Sequence, residues 1–274
     1  MLNEYLIWRR LTIHVQEHGQ GDPLLLINGL GANTDMWGPF ASCFPDRRLI
    51  LFDAPGSGRS STPTHPISIS SLASLAVTVL DNRGVTSADV LGYSYGGAVA
   101  QQLAWEAPGR VRKLVLAATN SGIGAMLGSP SAMFVLATPF RYYSPTYFTR
   151  TAAALYGGRT ARNHDVRHRM MNSRSKFPPT SLGYALQILG GASWTSQYFL
   201  HRIESETLVI SGDDDPLIPV VNAEFLAKRI PNARLEIVER AGHLFLCDDA
   251  RRMAERIRHF IGPVRAFDNV VAFA

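Results

Sequence analysis

Residues 90–103 read VLGYSYGGAVAQQL: an apolar run ends at Gly92, a serine follows one residue on as Ser94, and small residues then open a helix-like pattern. A G-x-S-x-G pentapeptide alone is weak evidence, but its placement between a buried strand and a helix is informative. That context predicts a sharp strand-to-helix turn in which Ser94 is held in an unfavourable backbone conformation, its Oγ exposed at the C-terminal edge of the strand. Gly92 and Gly96 then lack Cβ atoms because strand and helix approach too closely to admit them. The plainer alternative is a serine that merely caps the helix N-terminus.

Working outward, short runs rich in Val, Ile and Leu recur as LTIHV (11–15), PLLLIN (23–28), RLILFD (48–53), DVLG (89–92), KLVLAAT (113–119), TLVISG (207–212) and RLEIV (234–238). Continuous apolar runs of this length suit strands covered on both faces. Helical patterns such as SISSLASLAVTVLDNRG and ARRMAERIRHFI lie between or after them, so the fold class is α/β: a mostly parallel sheet flanked by helices. The N-terminal stretch MLNEYLIWRRLTIHVQEHG reads as a first strand. Only a polar HGQGD turn separates it from the second, which predicts that these two pair antiparallel at an edge. The alternation breaks over 122–203, a segment rich in Met, Tyr and Phe. It is expected to be a helical cap inserted into a core made of 1–121 and 204–274.

A serine hydroxyl becomes a nucleophile only beside a base, and the base needs an orienting acid. His243, in ERAGHLFL after the last strand, is placed where a loop at the strand ends would carry a base. TLVISGDDDPLIP offers three carboxylates; the spacing of Gly212, Asp215 and Pro219 favours Asp215, with Asp213 and Asp214 as the other choices. The aspartate run lacks the alternation and distal glutamate of a calcium loop. The charge that develops on attack needs N–H donors at the helix start. Tyr95 N–H is one, and Leu30 N–H, from the glycine-flanked loop NGLGAN, is the other. Asn28 is expected to hold that loop by hydrogen bonds.

Composition bounds the rest. The 274 residues, 46% of them hydrophobic, suffice for a large core, and the net charge of +5 is carried almost entirely by arginine. No zinc-finger spacing, aromatic RNA-binding motif or basic arm accompanies that charge, so nucleic acid is not an expected partner. Cys43 and Cys247 read as separate thiols of a reducing compartment. Polar residues interrupt the stretch after Arg9 and Arg10, which argues against an export signal, and no apolar run is long enough to span a bilayer. The expected location is the cytoplasm.

These residues resemble the α/β-hydrolase superfamily from about Leu6 to Ile261, including the chain order Ser, Asp, His, and the resemblance implies an eight-stranded type of sheet. The closer likeness is to intracellular medium-chain-length poly(3-hydroxyalkanoate) depolymerases. It is carried by NGLGAN, FDAPGSGRSSTPTHP (52–66), KLVLAAT, the YGG (156–158) and WTS (194–196) of the cap, SGDDDPLIP, and RIPNARLEIVERAGHLFL (229–246). The resemblance implies Ser94, Asp215 and His243 as a triad and an oligomeric or water-insoluble 3-hydroxyacyl ester as substrate. One departure is Tyr95, where that family commonly has tryptophan beside the acyl pocket.

The function expected is ester hydrolysis through an acyl-enzyme, without metal or cofactor. A small-substrate esterase, lipase or thioesterase is the rival, a carbon–carbon hydrolase or cofactor-free haloperoxidase another, and a non-catalytic ligand-binding protein of the same fold the alternative from another class. Met126, Met133, Phe134 and Trp194 are candidate substrate contacts, with core packing as their other use. His164 and His168, four apart, read as a solvated helix face rather than a metal site. Arg162, Arg167 and Arg169 are candidates for touching an anionic granule or lipid surface.

Overall fold

The computed structural model describes residues 2–263, apart from the side chains of His164, Val166, Arg169, Met170, Asn172 and Ser173. Eight strands form one sheet: β1 (Leu2–Trp8), β2 (Leu11–His18), β3 (Pro23–Ile27), β4 (Arg48–Phe52), β5 (Ala88–Tyr93), β6 (Val111–Ala117), β7 (Glu206–Gly212) and β8 (Ala233–Val238). Their order is β1-β2-β4-β3-β5-β6-β7-β8, with every pairing parallel except those of β2 with β1 and β4.

Two expectations about the N-terminus are corrected. The first stretch is a hairpin of two strands, because Arg9 and Arg10 both adopt left-handed conformations, φ 48° and 68°, as a two-residue hairpin turn of matching twist requires. The strand before HGQGD does not pair with the strand after it. β2 lies antiparallel against β4, and β3 inserts on the far side of β4.

Successive residues of the central strands feed opposite cores, as a two-residue repeat dictates. Leu24, Leu26, Leu91 and Tyr93 face one cluster with α1 (Gly38–Ala41), α11 (Phe245–Asp248) and α12 (Ala250–Ile261). Leu25, Ile27 and Val90 face the other, with α2 (Ile69–Asn82), α3 (Tyr95–Glu106) and α10 (Val221–Arg229). Met253, Ala254, Ile257, Phe260 and Ile261 make the inward stripe of α12 at helical spacing. Ser68 starts α2 by accepting the Ser71 N–H. Each fully buried leucine of this kind contributes about 1.5–3 kcal/mol.

Between β6 and β7 the chain leaves the sheet. It forms α4 (Pro130–Leu136), α5 (Phe140–Tyr143), α6 (Pro145–Tyr156), α7 (Gly158–Arg162), α8 (His164–Lys176) and α9 (Ser181–Gly191), with no strand among the described residues. Strand order reverses around β3, flanked by β4 and β5, and in open α/β sheets such a switch leaves a crevice at the C-terminal strand ends.

Candidate active site

Four strand ends build the site. β5 ends at Tyr93 and α3 begins at Tyr95, so Ser94 alone makes the turn, with φ 54° and ψ −119°. Glycine is forced on either side. A Cβ on Gly92 would lie 2.5 Å from Gly96 O, and one on Gly96 would lie 2.2 Å from Ile27 O at the end of β3. The main chain at Ser94 is fixed by its N–H donating to Ala117 O (2.9 Å) and its carbonyl accepting from Thr119 Oγ1 (2.8 Å).

The loop after β8 carries His243 to within 3.0 Å of Ser94 Oγ through Nε2, while Nδ1 lies 2.7 Å from Asp215 Oδ2 on the loop after β7. A carboxylate only accepts, so Nδ1 carries the proton and Nε2 is left as the acceptor for the hydroxyl. The other oxygen of Asp215 accepts the N–H groups of Leu217 and Ile218, both at 2.9 Å. Asp214 instead accepts Gly158 N–H and pairs with Arg162, and Asp213 is exposed. Of the three aspartates, then, Asp215 alone reaches the histidine.

The loop after β3 closes over the serine. Asn28 holds it as expected, donating to Asn33 O (2.7 Å) and accepting Gly29 N–H (2.9 Å). Gly31 N–H donates to Gln187 Oε1 (2.9 Å). Leu30, between those two engaged amides, lines the cavity beside Ser94. Tyr95 N–H, at the first position of α3, has no acceptor within the helix. Tyr142 Oη donates to Leu30 O at 2.6 Å. Gln187 also donates to Pro55 O and Ser57 Oγ, and its carbonyl accepts from Tyr95 Oη at 3.0 Å.

That last bond corrects one expectation. The Tyr95 ring runs along α9, where a Cβ on Gly191 would meet it at 2.8 Å, and it does not line the serine's cavity. Burial pushes its phenol well above the ordinary range.

None of the four candidate substrate contacts lines that cavity. Phe134 is 77% and Met126 59% exposed, Met133 packs on the buried core, and Trp194 Nε1 donates to Gln102 Oε1 at 2.7 Å. The cause in α4 is register: Ala132, Val135 and Leu136 share the inward face, which turns Phe134 outward. Apolar lining comes instead from Leu136 and Leu217.

The insertion adds residues that were not anticipated: Arg141, Tyr142, Tyr156 and Arg174. Tyr156 O accepts His243 N–H at 2.6 Å, and its ring lies over the imidazole, centroids 6.3 Å apart and planes 20° apart. The one available signal was Arg141 itself, the single charged residue between Lys113 and Arg150. Of the surface arginines, Arg162 pairs with Asp214, and Arg167 donates to Thr160 O and Ala161 O. The side chains of Arg169 and His164 lie outside the described residues. Cys43 and Cys247 are free thiols, and burial pushes Cys247 up to about 12.

The cavity is tight, with about 30 Å³ of room for solvent centres, space for about two waters at roughly 10–15 Å³ each.

A strand-order reversal, a serine elbow and a histidine bridging serine and aspartate define a class. The alpha/beta hydrolase fold family matches residues 22–250, and the chain belongs to that family. It is 43% identical over 244 residues to the poly(3-hydroxyalkanoate) depolymerase of Ectopseudomonas oleovorans, covering 89% of this chain and 85% of that one. It is 29% identical over 239 residues to 3-oxoadipate enol-lactonase 2 of Acinetobacter baylyi, covering 85% and 87%. A hydrolase structure from Pseudomonas aeruginosa superposes with TM-score 0.81 at 25% identity, covering 95% of this chain and 98% of that one. The resemblance drawn from the motifs is thus matched by whole-chain similarity to a depolymerase.

Proposed function

We propose that the protein is a serine ester hydrolase of the polyhydroxyalkanoate-depolymerase kind, acting on apolar 3-hydroxyacyl esters. The observation that carries this is the single line of hydrogen bonds from Asp215 through His243 to Ser94 Oγ. His243 takes the hydroxyl proton as Oγ adds to the ester carbonyl, and the carbonyl oxygen becomes an oxyanion facing Leu30 N–H and Tyr95 N–H. The C–O bond then breaks, and the leaving alkoxide takes the proton from His243. Water, deprotonated by the same imidazole, attacks the acyl-enzyme and returns Ser94. Each turnover consumes one water and yields one acid and one alcohol.

The polyester preference rests on the 43% identical relative. A water-insoluble substrate also suits the insertion's outer surface, where Leu127, Phe134 and Tyr198 are 72%, 77% and 81% exposed. On this reading the protein works in the cytoplasm at the surface of storage granules, and 122–203 is the cap over the site. Among the described residues no helix is long and apolar enough to cross a membrane. A second reading, hydrolysis of small esters or lactones, is favoured by the enol-lactonase relative and the tight cavity.

The deciding experiment compares turnover of emulsified medium-chain polyester with that of short p-nitrophenyl esters, beside Ser94→Ala and a fluorophosphonate probe. Polyester turnover lost in Ser94→Ala is the expected result. Activity on short esters alone selects the second reading. No label on Ser94 and no turnover leaves a ligand-binding protein.

A further inference from the structure

Arg141 on α5 and Arg174 on α8 both line the Ser94 cavity and are 3% and 2% exposed. Among the described residues neither has a carboxylate within ion-pair distance. The contrast is Arg47, equally buried, which sits 3.0 Å from Asp89 and 3.8 Å from Asp22. Arg141 donates to Tyr184 Oη (2.6 Å) and Thr138 O (3.1 Å), and Arg174 donates to Tyr156 Oη (2.5 Å). Both guanidiniums flank the Tyr142 ring, 4.7 and 5.5 Å from its centroid, and among the described residues the Nε–H of each has no acceptor.

A buried cation without an anion is among the most unfavourable things a fold can keep, and two sharing one cavity also repel each other. The protein supplies little compensation. Asp248, which feels Arg174, accepts both the N–H and the Oγ1–H of Thr160. Asp215 is occupied by His243 and two backbone amides. Burial would raise the Tyr156 phenol, but Arg174 and Arg141 outweigh it and hold it below its ordinary value. One phenol, even ionised, offsets one of two positive charges.

We propose that Arg141 and Arg174 form a carboxylate subsite of the Ser94 cavity, so that the preferred ester carries a free carboxylate on the hydroxy-acid unit beside the scissile bond. This rests on the hydrolytic reading of Ser94 and deepens it. The acid end of a hydroxyacyl oligomer has that chemistry. Planar guanidiniums suit a carboxylate better than any neutral group. Hydrolysis of the terminal ester takes up one water, releases one hydroxy acid, and leaves the oligomer one unit shorter with a new carboxylate at its end. Each product chain is therefore again a substrate.

The test is kcat/KM on the linear dimer of 3-hydroxyoctanoate as free acid and as its methyl ester. The wild type prefers the free acid by roughly tenfold or more, the size expected for a charge-assisted contact. The preference falls to about one in Arg141→Gln and Arg174→Gln and is partly kept in Arg174→Lys. A ratio is unaffected by a general loss of folded enzyme. Should the Gln variants not fold, the wild-type ratio and the Lys variant still decide. Equal use of the two dimers by the wild type, or a preference that survives both Gln substitutions, overturns the proposal. If neither dimer is cleaved, the hydrolytic reading is decided separately by the polyester and p-nitrophenyl ester assays. The subsite is then judged by the melting temperature of Ser94→Ala, which 3-hydroxyoctanoate raises and methyl 3-hydroxyoctanoate does not. No rise with the acid overturns it.

Discussion

His243 hangs from Tyr156: the histidine's amide donates to the tyrosine's carbonyl at 2.6 Å, and the two rings lie face to face. His243 is thus attached to the last turn of α6 in the insertion as well as to the sheet. Gly157 and Gly158, both with left-handed φ, allow it. A Cβ on Gly158 would come within 2.0 Å of Gly242 N.

Gly158→Ala should therefore displace the histidine loop and lower kcat by roughly 10- to 100-fold, since shifts of about 1 Å cost that much. Gly109→Ala, where no atom lies within 4 Å, is the control. Steady-state kinetics with circular dichroism checks it. Equal kcat in the two variants would show that the loop tolerates the shift.

Ser94 is held at φ 54°, a conformation that disfavours any residue with a Cβ. Ser94→Gly and Ser94→Ala both remove the hydroxyl and should both abolish turnover by about 10³-fold or more. At this φ the relief of strain outweighs the extra freedom glycine has in the unfolded chain, so Ser94→Gly should be the more stable by about 1 kcal/mol. Chemical denaturation measures the difference, and an Ala variant as stable as the Gly variant contradicts it.

Burial raises the carboxyl of Asp248 to about 6, against hydrogen bonds from Thr160 and the charges of Arg159 and Arg174. The folded value lies above the unfolded one, so between roughly pH 4 and 6 the native state binds more protons. This group's contribution is full below that window and is lost as pH rises through about 6. A two-unit gap is worth on the order of 2 kcal/mol. Asp248→Asn, a mimic of the protonated form, should gain stability relative to the wild type as pH rises from 4 to 7. Urea midpoints across that range check it, and a difference that does not vary with pH refutes it.

Legibility in the sequence followed locality. Ser94, Asp215 and His243 each follow an apolar run, so the strand pattern placed their loops on one sheet edge, and the G-x-S-x-G and Gly212–Asp215–Pro219 spacings chose the first two residues. Pairing of β2 was not legible, because a polar turn reports that the chain reverses and not which strand it meets. Nor were the cavity walls. Phe134 and Leu136 are two residues apart on α4 and differ in which faces the site, and packing against α6 sets that rotation. Arg141, Tyr142, Tyr156, Arg174 and Tyr184 converge from four helices of the insertion, and no spacing along the chain announces it.

Gln187 has a consequence for engineering. From α9 this one side chain ties Gly31, Pro55 and Ser57, while the residue's main-chain carbonyl takes the Tyr95 hydroxyl. Two separate loops around Ser94, and the start of α3, are thereby moored to a helix outside the sheet. Trimming 122–203 to obtain a minimal enzyme would cut those moorings, and transplanting a foreign insertion would succeed only if it brought an amide side chain to the same spot.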